Sequence, residues 1–532
     1  MIHPLFRNFF CLSSRDPKPE SFFVGHAFTK YSFIEGIEGL REYQKTHGTL
    51  SQHVTGGRFS LVEVEGDSVT IQVDPSGQDL LFLYMSGSDW IVGNSLLLVA
   101  RKLKEIGVPR NLCQEAVSIF RTGRQSLNGG QLVSKKTPIT GVVSVPAKAI
   151  LSIDYSDRLL PVLSTREYPT RPSFDRYGDA LREFISESLA RLEAIMRTPG
   201  KGADLALSGG VDSRACLALL ASGVIDKNRI RAFSNHSRKF EAGLANRLAD
   251  YVGVEFGRTP RREDRSYISD PYAALDLGLI GCAGTYALLA PVWAVSEGQN
   301  VRLHGGSVIG SGYMRSSLIN KSSKLIKVYG EDGRNVAAEI KSGLLDASIT
   351  ADDPKALFHH YYNYRARFHY GRAAYTRFRM NYYMPLFDDG LLGVCECSDK
   401  DYIQGNGVTR DIISSVNASL LEFPFDAPDK IQAPARSVDP FVASGSKMLE
   451  VYSASSQAGS VSSSLLATSK DGEADGKKLV AEELIDTINR NVQFYREAGF
   501  DASYIEDAKN EVLGGGTYVK SGVLVGLSAL FE

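Results

Sequence analysis

One run in this chain combines residue types that can hold phosphate: Leu207-Ser208-Gly209-Gly210-Val211-Asp212-Ser213. Adjacent glycines adopt backbone conformations closed to other residues and let a ligand approach the amides closely. Ser208 and Ser213 add hydroxyl donors. The Asp212 carboxylate repels phosphate unless a cation lies between them, which marks it as a magnesium ligand. Asp204 to Leu207 reads as a short buried strand and Ser213 to Ser222 as a helix. A helix starting there turns its unpaired N–H groups and positive dipole end toward the loop, an arrangement suited to an anion. The competing account is a tight strand-to-helix turn with a serine cap. Strand, full run and helix in succession favour the ligand.

The elements that must position this loop follow from the surrounding pattern. Ile230 to Ser234 reads as a strand and Phe240 to Val252 as a helix, and the βαβα order predicts a parallel sheet flanked by helices. A helix-like apolar stretch, Tyr286 to Val295, and a strand, Val301 to His304, continue it. Upstream, Tyr177, Leu181, Phe184, Ile185, Leu189, Leu192 and Ile195 share one helical face. Before them the chain reads as strands and turns. Phe59 to Val64 and Val69 to Val73 flank the hairpin turn Glu65-Gly66-Asp67, and a second hairpin surrounds Ser86-Gly87-Ser88-Asp89. These shifts divide the chain into residues 1–168, 169–435 and 436–532. In the last part, 452–478 reads as a Ser-, Ala- and Gly-rich loop, followed by a helix carrying Leu479, Leu484, Ile485, Ile488, Val492 and Phe494.

Composition bounds the function. The 532 residues carry a formal net charge of −1, with 60 Lys plus Arg against 61 Asp plus Glu, so neither nucleic acid nor an anionic membrane is expected as a bulk partner. The basic residues Arg258, Arg261, Arg262 and Arg265 read as a solvated loop. Six scattered cysteines do not read as a disulfide framework, and Cys395-Glu396-Cys397 lacks the second pair a zinc site needs. No signal peptide or membrane-length apolar run is read, so the expected location is cytoplasmic.

The loop resembles the PP-loop of N-type ATP pyrophosphatases, and the order of parts resembles the asparagine synthetase family from about residue 50 to about residue 430. In the first part, Gly56-Gly57-Arg58-Phe59-Ser60, then Val73-Asp74-Pro75-Ser76-Gly77 with Leu83-Tyr84, then Val92-Gly93-Asn94-Ser95 and Val145-Pro146, resemble successive strands and turns of the family's glutaminase domain. In the second, Glu241, Ala245, Leu248, Ala249 and Gly253 resemble the helix after the adenine strand. Tyr383-Met384-Pro385-Leu386-Phe387-Asp388-Asp389 resembles a family segment whose acids equally suit a helix cap. The resemblance implies an α+β, Ntn-hydrolase-like, β-rich sandwich. An α/β PP-loop domain with a parallel sheet and a helical C-terminal part would follow it.

Two departures qualify what the resemblance implies. An active glutaminase of the family carries its nucleophilic cysteine directly after the initiator, whereas this sequence reads Met1-Ile2-His3 and its nearest cysteine is Cys11. The domain is therefore expected to be inert, as in β-lactam synthetases and lasso-peptide cyclases. The family's second phosphate segment falls on Leu303-His304-Gly305-Gly306-Ser307-Val308, where the glycines persist but His304, Ser307 and Val308 stand at acidic positions, Ser307 at that of a metal ligand.

The implied cofactors are ATP and Mg2+. Ser208, Gly209, Gly210, Ser213, Gly305 and Gly306 would hold phosphates and Asp212 the metal, with Leu207 and Ser234 lining the nucleotide. His304 and a late lysine, Lys430 before Lys447, are the catalytic candidates. The expected activity is AMP-forming amide ligation of a small-molecule or peptide carboxylate with ammonia or an amine, including intramolecular cyclisation, in the company of a biosynthetic partner protein. The alternative is a non-catalytic ATP-binding scaffold or sensor. Base thiolation of tRNA, another PP-loop chemistry, is disfavoured by the neutral charge and the first domain.

Overall fold

The computed structural model describes residues 6–122, 130–156, 162–167, 174–257, 265–296, 300–305, 313–314, 316–378, 380–427, 430–441, 448–453, 466–467, 473–515 and 518–532. Its first strands are β1 (Cys11–Ser13), β2 (Phe22–Thr29), β3 (Ser32–Glu35), β4 (Val54–Glu65), β5 (Ser68–Val73), β6 (Phe82–Ser86), β7 (Asp89–Gly93), β8 (Val142–Ser144), β9 (Ala149–Asp154) and β10 (Val162–Glu167), with helices α1 (Gly36–His47), α2 (Leu96–Glu105) and α3 (Gln114–Arg121). Both expected hairpins form. Glu65 pairs Ser68 and Ser86 pairs Asp89, which leaves two-residue turns. Gly66 and Gly87 take φ of 56° and 60° there, conformations that suit glycine.

These strands build two sheets, β10-β9-β5-β4-β2-β3 and β1-β7-β6-β8. Phe10, Leu12, Trp90 and Val92 of the smaller sheet share one apolar cluster with Val62, Val69, Ile71 and Leu151 of the larger. Alternation along each strand leaves a second face to cover. Leu40 and Tyr43 of α1 cover Phe59 and Leu61, and Leu97 and Leu103 of α2 cover Phe82 and Ile91 on the other side. The result is a sandwich with a helix on each outer face.

The parallel sheet follows α4 (Tyr177–Arg197). Its strands are β11 (Ala203–Ala206), β12 (Ile230–Phe233), β13 (Glu255–Gly257), β16 (Val301–Leu303) and β17 (Asn381–Tyr383), in the order β13-β12-β11-β16-β17. Every pairing is parallel, with Leu205 opposite both Ala232 and Leu303. Helices α5 (Val211–Leu220) and α6 (Lys239–Val252) make the first crossovers, and Gly253 closes α6 in the left-handed region at φ 73°. The strand order reverses beside β11, so its C-terminal end and that of β16 border a crevice. Open α/β sheets bind ligands at such places.

Tyr286 to Val295 is not helical, contrary to the sequence reading. The helix in this region is α7 (Pro271–Cys282), announced by an Asp270 cap and Pro271 in its first turn, and it lies between β14 (Arg265–Ile268) and β15 (Ala294–Ser296). After α7 the backbone pairs outward: Ala287 N–H donates to Gly130 O at 2.6 Å and Leu289 N–H to Tyr518 O at 3.0 Å. Pro291, which has no N–H to give, interrupts any helical ladder.

Helices α8 (Leu318–Asp346), α9 (Ala356–His360), α10 (Ala373–Thr376), α11 (Asp389–Glu396), α12 (Lys400–Gln404) and α13 (Gly407–Asn417) complete the central part, and α13 packs on α5. Of the stretch read as a loop, residues 452 and 453 belong instead to β18 (Glu450–Ser453), which extends the larger sheet alongside β3. Residues 466–467 form β19 (Leu466–Ala467) against β14, and α14 (Glu473–Arg490) takes in the last six. The remainder lies outside the described residues. With α15 (Val492–Glu497), α16 (Ala502–Leu513) and α17 (Lys520–Phe531), α14 adds Val480, Leu484, Leu524 and Leu527 to the cluster over α2. Among the described residues no helix is long and apolar enough to cross a membrane.

A buried ion pair of the second part is also hydrogen-bonded to the first. Arg191 Nη1 on α4 donates to Asp388 Oδ2 at 2.6 Å, and Nη2 donates to Thr55 O on β4 at 3.2 Å. Asp388 Oδ1 accepts the Gly390 N–H at 2.8 Å and caps α11. Of the two accounts of Asp388, the cap is the one observed. The paired carboxylates raise the Arg191 pKa against the opposing effect of burial, the largest single influence. Asp388→Ala is expected to cost about 3–5 kcal/mol, because it strands a buried guanidinium and removes a cap. The expected signature is a lower urea midpoint, while Glu38→Ala at the exposed Arg41–Glu38 pair leaves the midpoint in place. Equal midpoints for the two variants would remove Asp388 from the account of stability.

Candidate functional site

The run 207–213 leaves β11 at the crevice. Leu207 is buried, and its N–H donates to Phe233 O at 2.9 Å, which zips the ends of β11 and β12 together. Ser234, the next residue on β12, is buried beside them. The chain then turns through Ser208, Gly209 and Gly210 into α5, whose N-cap is Gly210 and which no side chain caps. The two serines shape the turn: Ser208 N–H donates to Ser213 Oγ and Gly210 N–H to Ser208 Oγ, each at 3.1 Å. Ser213 Oγ also lies 3.1 Å from Ser208 Oγ and 3.2 Å from Ser208 O. The hydroxyls therefore hold the loop's own backbone, and among the described residues no side chain caps the first turn of α5. Uncapped amides and the positive end of a helix dipole are features suited to an anion.

Two glycines are required by contact. A Cβ at Gly305 would lie 2.6 Å from Asp212 Cβ, so the chain leaving β16 passes directly against the first turn of α5. At Gly209 a Cβ would meet Asp426 Cβ at 2.8 Å and Leu244 Cδ2 at 2.9 Å. Two segments distant in sequence thus press on the loop from either side. Gly306, Ser307, Val308 and Lys447 lie outside the described residues.

The structure brings Lys430 to the loop through a residue that sequence reasoning passed over. Asp426 N–H donates to Gly209 O at 3.1 Å, and Lys430 Nζ donates to Asp426 Oδ2 at 3.1 Å. Asp426 Oδ1 is buried and accepts no hydrogen bond from the described residues. The segment is held down by Arg214 of α5, the residue after Ser213. Its Nη1 donates to Leu420 O at 3.1 Å and Phe423 O at 2.8 Å, and its Nη2 to Pro424 O at 2.6 Å. The guanidinium also stacks on Phe425 at 3.7 Å. Burial lowers the Arg214 pKa to about 10, which leaves it charged at neutral pH. A lone cation in the run Val211 to Leu220 was the available signal for Arg214, whereas Asp426, four residues before the candidate lysine, carries no such local signal.

His304 ends β16 at the same sheet edge, with its backbone N–H donating to Tyr383 O at 3.2 Å. Its ring lies against Tyr370 and Tyr382, with centroids 5.7 and 6.5 Å away. Burial first, then the charges of Arg302 and Arg58, hold its pKa below the usual 6.5, so the imidazole is neutral at physiological pH. Asp389 pairs with Lys148 of the sandwich at 3.1 Å rather than joining the loop.

The residue types present would suit a magnesium-bound nucleoside triphosphate: the glycine amides before α5, the Asp212 carboxylate and the Lys430 cation, while the space beside Gly209 and Gly305 is taken by Asp426, Leu244 and Asp212. Cys11 fits no nucleophilic role. It sits in β1, its thiol directed at Leu98 O at 3.7 Å, and burial pushes its pKa up to about 12. A thiol so raised is not a thiolate at neutral pH.

No family model matches the chain, and no curated protein matches it. Among solved structures it is similar to the allosteric regulatory enzyme of purine biosynthesis, at 12% identity over 42% of this chain and 53% of that one, with a TM-score of 0.15. It is also similar to glutamine phosphoribosylpyrophosphate amidotransferase from B. subtilis complexed with ADP and GMP, at 8% identity over 52% of this chain and 46% of that one, with a TM-score of 0.13. The chain spans about half the length of each. Likenesses at these scores carry no argument about fold or activity; the molecule is a mixed α/β chain with several sheets, one of them parallel.

Proposed function

We propose that the chain is an ATP-dependent, AMP-forming amide ligase. The observation that carries this reading is the convergence on one loop of Gly305 against Asp212 and of Asp426, itself paired with Lys430, against Gly209. A tight turn serving only the fold needs neither.

In this reading the first-turn amides of α5 bind phosphate oxygens, and Asp212 holds magnesium, which when bound offsets the charge on those oxygens. The backbone at Ser234 lines the adenine. The acid substrate's carboxylate oxygen forms a bond to the α-phosphorus as the bond to pyrophosphate breaks. Lys430 meets the negative charge that gathers on the departing oxygens. An amine nitrogen then bonds to the acyl carbon, the bond to AMP breaks, and the nitrogen's proton passes to neutral His304. The nitrogen comes as ammonia or as an amine of the substrate, since Cys11 offers no thiolate to release it from glutamine. The acid is a small molecule or a peptide. Cytoplasmic placement and a biosynthetic partner protein belong to the same proposal.

The test is conversion of magnesium-ATP in the presence of panels of acids and amines, with AMP separated from ADP. Acid-dependent AMP and pyrophosphate support the ligase. Nucleotide binding without AMP across the panel favours a scaffold or sensor. Asp212→Ala is expected to lower AMP formation by ~10²-fold or more, the scale of a lost electrostatic group in an active site, with an unchanged circular dichroism spectrum. Full turnover in that variant would exclude Asp212 from the reaction.

The pH dependence carries its own sign. The working form of His304 is the neutral imidazole, and its pKa is depressed, so kcat/KM should fall only as pH drops through a value below 6.5. His304→Gln should lower the rate and abolish that acid limb. An unchanged limb would assign the titration to another group.

A further inference from the structure

The segment after Gly305 carries Ser307 and Val308 rather than acids, so a magnesium site at this loop has Asp212 and no second carboxylate from its own neighbourhood in sequence. A magnesium ion that bridges phosphates is bound through one or two carboxylates as well as the phosphates themselves. The fold offers a carboxylate from elsewhere.

Asp426 is tied to the loop by its own backbone, through the 3.1 Å hydrogen bond to Gly209 O. Its Cβ lies so close to Gly209 that a methyl group there would overlap it at 2.8 Å. The side chain therefore leaves the backbone at the loop itself. One oxygen, Oδ2, is matched by Lys430. The other, Oδ1, is buried and has no hydrogen-bond partner among the described residues. A buried carboxylate oxygen left unmatched is costly and calls for a donor or a cation. Placed beside a phosphate-binding loop, a second negative group would also repel the ligand unless a cation were held between them.

We propose that Asp426 supplies the second carboxylate of the magnesium site, in place of the acid missing after Gly305, with Oδ1 toward the metal and Oδ2 held by Lys430. Arg214 is then a positioning residue. By anchoring Leu420, Phe423 and Pro424 it sets the carboxylate at the loop without touching the ligand. This inference rests on the nucleotide reading above.

The experiment uses the full chain, Mn2+ as the spin probe and α,β-methylene-ATP, which cannot be cleaved at the bond in question. Binding of Mn2+ to the protein–nucleotide complex is followed by electron paramagnetic resonance, and nucleotide affinity by calorimetry with and without metal. Wild type is expected to bind the nucleotide more tightly with Mn2+ than without. In Asp426→Asn the Mn2+ affinity of the complex should fall at least about tenfold, the scale seen when a ligand's surroundings are altered. Metal-free nucleotide should bind that variant no more weakly, because a repelling charge has gone. Asp426→Glu, which keeps the charge, should recover part of the Mn2+ affinity. Lys430→Met should weaken nucleotide binding and retain Mn2+. Wild-type Mn2+ affinity in Asp426→Asn would overturn the assignment. So would a Lys430→Met variant that loses Mn2+ to the same extent, since the ion pair alone would then explain the effect. Absence of nucleotide binding by wild type, with or without metal, would overturn the ligase reading itself.

Discussion

A buried guanidinium in the first crossover helix decides where the late part of the chain must run. Arg214 is fully enclosed and charged, so its N–H groups need acceptors. The carbonyls of Leu420, Phe423 and Pro424 provide them, and Phe425 covers the remaining face. Because Arg214 follows Ser213 directly, this constraint is laid down one residue from the loop 207–213. Asp426 reaches Gly209, and brings its partner Lys430 with it, because the carbonyls just before it are committed to α5. A helix that packs on apolar residues alone could slide or rotate relative to that segment. One that hydrogen-bonds three of its carbonyls cannot.

The opposite flank is set by steric contact. The parallel register of β11 with β16 brings Leu303 opposite Leu205, so the chains leaving both strands emerge together. Gly305 then touches Asp212 with no room for a side chain. His304, one residue earlier, turns its ring to Tyr370 and Tyr382. The same strand end therefore serves both sides of the crevice. Glycine meets the loop, and a neutral imidazole meets the tyrosines that border the sandwich.

Much of this could be read in advance, and the failures have identifiable causes. The strand–loop–helix at 203–220, the next strand and helix, and both hairpins follow from periodicity and from glycine at turn positions, which are local properties. Tyr286 to Val295 was misread because an apolar run without alternation suits a buried helix and a buried extended segment equally. Pro291 and the Asp270-Pro271 start of α7 were the evidence against the helix. Lys430 was found through a resemblance, but its partner was not. An aspartate in a Pro-rich stretch has no local mark that distinguishes a ligand from a turn residue. The significance of Asp426 lies in a hydrogen bond to Gly209, and long-range pairing of that kind leaves no spacing to detect.

The sandwich has a physical reason to persist without a reactive thiol. Arg58 of β4 donates through Nη2 to Tyr370 O, Gly371 O and Thr376 Oγ1, at 3.3, 3.4 and 2.7 Å. Asp79 accepts the Ala374 N–H at 2.9 Å and Arg377 Nη2 at 2.7 Å, and Gln78 Nε2 donates to Phe387 O at 3.1 Å. These contacts fix both ends of the segment that enters β17 and leaves it for α11. Strand β17 in turn pairs with β16, whose end carries His304 and Gly305. Removing the sandwich would strand the buried charge of Arg377, whose partner is Asp79, and release the segments on either side of β17, the edge strand on that side. The geometry at Gly305 therefore depends on polar groups contributed by the first sheets, which gives those sheets a structural role at the loop.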